Sequence, residues 1–223
     1  MNSYLPDQVL QRAVEREAAL FKENPDSCVR AFTERLKTLG FRFSVSDQVK
    51  QFMPKHKDII LPLAVEYYRQ AVLKNEKNYF ISLMRYPCCK TVVPMLLDAF
   101  YRNAGTDDRE RISECIYSIH DKSYAEEYLR IVSTEEYGIH RAMFILLLGR
   151  MKYEKAIDSI LPLLQDPVLC KYAIIALGDY RKKTFEPYFL QFADSDDPYL
   201  SRYAKQALHK LNGSIGKNKA RSV

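Results

Sequence analysis

Apolar residues along this chain recur at three- and four-residue spacing, the period of an amphipathic helix. Turn residues separate the segments that carry them. Leu10, Ala13, Val14, Ala18 and Phe21 predict a first helix that opens at Pro6-Asp7 and ends at Asn24-Pro25-Asp26. Val29, Phe32 and Leu36 predict a second, stopped by Gly40. Phe41 to Ser44 alternates like a strand, but one short alternation in a helical chain reads as a linker. Ser46-Asp47 caps a short helix that stops at Pro54. A longer helix follows over about 56–74, with partner helices over 76–85, 107–119 and 137–150. The run Ala142 to Leu148 is apolar on every side, as a helix buried on several faces must be. By contrast Leu200, Tyr203, Ala204, Ala207, Leu208 and Leu211 make a single stripe, opposite Arg202, Lys205, Gln206 and Lys210. That is the pattern of a terminal capping helix. Asn212-Gly213 ends it, and the basic tail 212–223 reads as disordered.

The pattern repeats. Asp166-Pro167, Lys171-Tyr172-Ala173 and Ala176-Leu177-Gly178 return 31 residues later as Asp197-Pro198, Arg202-Tyr203-Ala204 and Ala207-Leu208-His209. A second phrase, Ile60-Leu61-Pro62-Leu63, returns around Pro94 and Pro162, at intervals of 32 and 68 residues. Tyr124 to Leu129 fills the place between them without a proline. Helical units at such a period predict an α-solenoid: an all-α superhelix of about five or six antiparallel helix pairs. An irregular helical cap (1–55) precedes an array (56–211) continuous with it, so one domain is expected.

Composition agrees. Gly is scarce, at 7 of 223 residues, which favours helix over sheet. No apolar run approaches the length of a membrane span. The segment MNSYLPDQ lacks the layout of a signal peptide, so a cytoplasmic location is expected. The five cysteines form no CxxC pair and read as reduced, mostly buried thiols, with Cys88-Cys89 adjacent in a loop. The formal charge of +6 includes Lys217, Lys219 and Arg221 of the tail, which leaves +3 for the body. That is ordinary for a domain of this size and argues only weakly for a polyanion.

Residues 137–211 resemble the HEAT repeat family, and especially the HEAT-like repeats of the phycobilin-lyase type. The matching residues are Asp166, Lys171, Ala173, Ala176-Leu177-Gly178 and Asp194, then Asp197, Arg202, Ala204 and Ala207-Leu208; Arg141 to Gly149 is a looser copy. The resemblance covers about a third of the chain. It implies a fold, and such folds host scaffolds, adaptors, nucleic-acid binders and occasional enzymes.

Two surfaces are candidates. The loops within pairs are basic: Arg150, Lys152 and Lys155, then Arg181, Lys182 and Lys183. The loops between pairs are acidic, so one basic and one acidic rim are expected. Helix capping and the macrodipole explain much of this, but not Lys182 and Lys183 at the start of a helix. The second surface is the concave face, with Tyr124, Glu127, Tyr128, Tyr153, Asp158, Glu186 and Tyr188 as its candidates. Tyr suits protein recognition, although in a helical repeat it more often packs.

Catalytic motifs are missing, and His56, His120, His140 and His209 have no motif context. Glu126-Glu127 or Asp194, Asp196 and Asp197 could hold a cation, but acidic turns are usually caps. No cofactor, no metal and no obligate small molecule are expected. The leading expectation is a non-enzymatic scaffold or adaptor that binds a protein or peptide partner. The alternative is a nucleic-acid binder using the basic rim, with the architecture of DNA alkylation-repair glycosylases but without their tryptophans. The repeat subtype alone suggests a third, a bilin lyase or chaperone.

Overall fold

The computed structural model describes residues 7–102 and 106–219. The expected helix opening at Pro6 and the last four residues of the tail lie outside them. The described residues form helices joined by turns and loops and contain no strand, so the chain is all-α. It divides into two compact units, Met1–Ile119 and His120–Val223.

In the first unit, α1 (Asp7–Glu23) has no buried residue. Its Glu17 carboxylate ties it down by accepting from the backbone N–H and hydroxyl of Ser46. Helix α2 (Cys28–Thr38) is capped by the Ser27 hydroxyl, which accepts from the Arg30 N–H and itself donates to buried Glu76 at 2.6 Å. Gly40 then takes a positive φ of 93° to end the helix, as its lack of a Cβ permits. Residues 41–45 form no strand. A 3-10 turn, Ser46–Phe52, leads straight into α3 (Met53–Gln70). Within α3 the backbone leaves helical geometry at His56 (φ −128°, ψ 30°), so the expected stop at Pro54 falls two residues before a break and the expected helix start near 56 falls at it. Helices α4 (Lys74–Leu83), α5 (Val93–Arg102) and α6 (Thr106–Ile119) complete the unit. Its core is a ring cluster of Phe32, Tyr67, Tyr79 and Phe80, with Phe32 and Phe80 centroids 5.3 Å apart.

The second unit holds α7 (Ala125–Val132), α8 (Ala142–Met151), α9 (Ile157–Ile160), α10 (Cys170–Tyr180), α11 (Glu186–Ala193) and α12 (Pro198–Lys219). Helix α10 packs between α8 and α12, while α7 packs on α8 and α11 on α12. The apolar run at 142–148 is buried as expected, with Phe144, Ile145, Leu147 and Leu148 wholly enclosed. Pro162 falls where α9 gives way to a 3-10 turn, Leu161–Gln165. The backbone of α12 stays helical to Lys219, past the expected stop at Asn212-Gly213. A glycine in an exposed helix costs only about 1 kcal/mol, so it weakens a helix without terminating it.

The duplicated Asp-Pro pairs act as caps. Asp166 accepts from the N–H groups of Val168 and Leu169, and Asp197 from those of Tyr199 and Leu200. Asp166 also faces buried Arg141 at 3.7 Å, and that guanidinium donates to the carbonyls of Gly138 and Val132.

The duplicated glycines bring helices together. A Cβ on Gly149 would lie 2.5 Å from the Cα of Ala176, and one on Gly178 would lie 2.9 Å from the Cβ of Ala207. Helices α8 and α10 end two or three residues beyond these glycines, on left-handed Lys152 (φ 54°) and Arg181 (φ 57°). At Lys152 the chain closes with Lys152 N–H to Gly149 O and Tyr153 N–H to Leu148 O, the paired bonds of a Schellman motif.

Candidate functional site

The candidate residues all lie in the second unit, on two groups of loops and helices. The in-pair loops follow α8 and α10, and each brings lysines up to a carboxylate of the preceding pair. Lys155 pairs with Glu126 of α7, Lys182 with Glu154 in the loop after α8, and Lys210 with Asp179 of α10 at 2.6 Å. Their sequence separations are 29, 28 and 31 residues. Lys183 pairs within its own turn to Glu186 at 2.8 Å. The expected basic rim is therefore a ladder in which positive and negative groups alternate. Lys182 and Lys183 sit at a helix start because neighbouring carboxylates hold them there. Arg150, Lys152 and Arg181 are exposed, and Lys152 and Arg181 have no ion-pair partner among the described residues.

Tyrosines brace the same rungs. Tyr153 donates its hydroxyl to Glu126, while its own carbonyl accepts from the Tyr180 hydroxyl at 2.6 Å. Hydrogen bonds from Lys155 and Tyr153 hold the Glu126 carboxyl below the usual range. The bond to Glu126 in turn raises both Tyr153 and Lys155 above theirs. Burial pushes the Tyr180 phenol up.

Seven residues were expected on one recognition face, and the structure separates them. Tyr128 is fully buried, its ring tilted at 35° against Phe144 with centroids 5.6 Å apart, so it is core and cannot meet a partner. The α7 stripe turns inward at that position because Ala125, Tyr128, Ile131 and Val132 together face α8. Tyr124 is half-buried beside Tyr128, and Tyr153 is engaged in the ladder. Glu127 pairs with Arg130 at 2.8 Å and Glu186 with Lys183. Asp158 on α9 and Tyr188 on α11 remain open to solvent.

Sequence reasoning missed Leu190. With Phe189 and Ala193 buried, α11 turns Pro187, Leu190 and Gln191 outward beside Tyr188. Leu190 is 58% exposed and Tyr188 39%. A helical wheel carries the signal: Leu190 falls off the stripe that Phe189 and Ala193 define.

Among the described residues no three His, Cys, Asp or Glu side chains converge to hold a metal ion. Asp194, Asp196 and Asp197 stay at the turn before α12, where Asp197 is spent as a cap. Among the described residues no helix is long and apolar enough to cross a membrane. No protein-family model, curated protein or solved structure matches the chain.

Proposed function

We propose that the chain is a non-enzymatic HEAT-like α-solenoid that binds a protein or peptide partner. One observation carries this reading: links between helix pairs recur in a constant register. Gly149 meets Ala176 and Gly178 meets Ala207, while Lys155, Lys182 and Lys210 each reach back 28–31 residues to a carboxylate. Stacked repeats make nearest-neighbour contacts of this kind, and equivalent positions then line up. On this reading α7, α9 and α11 are second helices that share a face. Tyr188 and Leu190 supply its exposed apolar area, and Asp158 is exposed on α9. An exposed Tyr beside an aliphatic residue offers contact area at low entropic cost.

The ladder counts against the nucleic-acid alternative. A polyanion would have to displace Glu126, Glu154 and Glu186 from the lysines it needs. The test is affinity capture with the full chain and with a Tyr188→Ser, Leu190→Ser variant, both surface changes. A partner retained by the parent and lost by the variant supports the reading. Equal recovery by both, or none by the folded parent, removes it. Binding to duplex or single-stranded DNA that falls steeply with salt would restore the alternative.

A further inference from the structure

A second site lies wholly inside the first unit and stands apart from the protein-binding reading. Between α3 and the segment entering α5 there is a cavity of about 370 Å³. Its walls include Leu61 and Val65 of α3 and, opposite, Val92 and Met95. None of the lining residues is aromatic, so no aromatic ring there can stack on an aromatic ligand. A volume near the lower end of ligand pockets suits a small molecule and not a protein segment.

The charges at the two ends differ. Lys57 lies at one end, 3.9 Å from the Asp58 carboxylate, which neutralises it. Arg69 lies at the other, twelve residues along α3, or about 18 Å by helical rise. Arg69 has no carboxylate partner among the described residues. Its exposed guanidinium is a ready fork for an anionic headgroup. Cys88 also lines the cavity and is its reporter thiol. The Lys57 end is the thiol end, because the ammonium acts on Cys89, whose Sγ is 3.9 Å from that of Cys88.

We propose that this trough binds an aliphatic monocarboxylate of medium chain length, with its carboxylate on Arg69 and its chain running over Val65 and Leu61 toward Cys88. The aliphatic walls exclude water from the chain, and the single unopposed cation selects one negative charge over two or none.

The probe is decanoate, with decanol as its uncharged counterpart. Two readouts apply to the full chain: calorimetric titration, and the rate at which iodoacetamide alkylates Cys88, followed by peptide mass. Cys88 and Cys28 are the partly open thiols and peptide mass separates them, whereas burial raises the Cys89, Cys115 and Cys170 thiols and slows them. Decanoate is expected to bind saturably and to slow alkylation. Arg69→Gln, an exposed change, is expected to weaken it about tenfold and to leave decanol unaffected. Val65→Asp is expected to abolish binding of both. Should that variant fail to fold, Arg69→Gln still decides. The proposal is overturned if decanoate does not saturate, if Arg69→Gln binds it as well as the parent, or if bound decanoate leaves the Cys88 rate unchanged.

Discussion

Gly149 packs directly on the backbone of Ala176: a methyl group in place of its hydrogen would sit 2.5 Å from the Ala176 Cα and 2.7 Å from its carbonyl oxygen. Backbone cannot step aside as a side-chain tip can. Gly149→Ala is therefore expected to destabilise the fold by about 1–3 kcal/mol through overpacking, despite the gain in helix propensity. Gly178→Ala meets the Ala207 methyl at 2.9 Å and should cost less. Urea denaturation of both variants tests the order, and a Gly149→Ala variant more stable than the parent would refute the close approach.

Lys152 closes α8 in the left-handed region, where an L side chain costs about 1–2 kcal/mol. Lys152→Gly should relieve most of this and raise stability by about 1 kcal/mol, since no ion pair of Lys152 is lost. The same change at Lys155, whose backbone lies in a 3-10 turn, should not stabilise. Paired melting curves separate the two.

The hydroxyl of Tyr128 is buried and has no hydrogen-bond partner among the described residues. Tyr128→Phe removes an unpaired polar group and keeps the ring on Phe144, so it is expected to be neutral or stabilising by up to about 1 kcal/mol. Tyr128→Ala should cost about 3–5 kcal/mol by opening a cavity. A loss of more than 1 kcal/mol in the phenylalanine variant would show that the hydroxyl is satisfied after all.

Alkaline pH should weaken the fold through its buried thiols. Burial, aided by the carboxylates of Asp166 and Asp197, pushes Cys170 from 9.0 up to about 11, and burial with Cys88 pushes Cys89 up as well. A folded-state value above the unfolded one means the folded chain holds its proton longer. The stability this represents is complete below about pH 9 and is lost as pH rises toward 11. For Cys170 the loss is about 2 kcal/mol. Unfolding free energies measured from pH 8 upward should decline, and Cys170→Ala should flatten part of the slope.

Features carried by single residues and short phrases were legible in the chain. The helical period, the Asp166 and Asp197 caps and the crowded Ala-Leu-Gly segments all depend on local spacing. What escaped depends on which neighbour a side chain meets. Tyr128 looks like a surface tyrosine until α8 covers it. Lys182 looks like a free cation until Glu154, 28 residues earlier, is brought beside it.

The links that tie the second unit together, from Glu126 to Lys155, Glu154 to Lys182 and Asp179 to Lys210, each span about thirty residues or fewer of chain. None has to wait for a distant segment. During synthesis each helix pair can dock on its predecessor as soon as it clears the ribosome, and loop-closure entropy stays small at every step. The constant register thus orders assembly in time, from the N-terminal side onward, as well as in space.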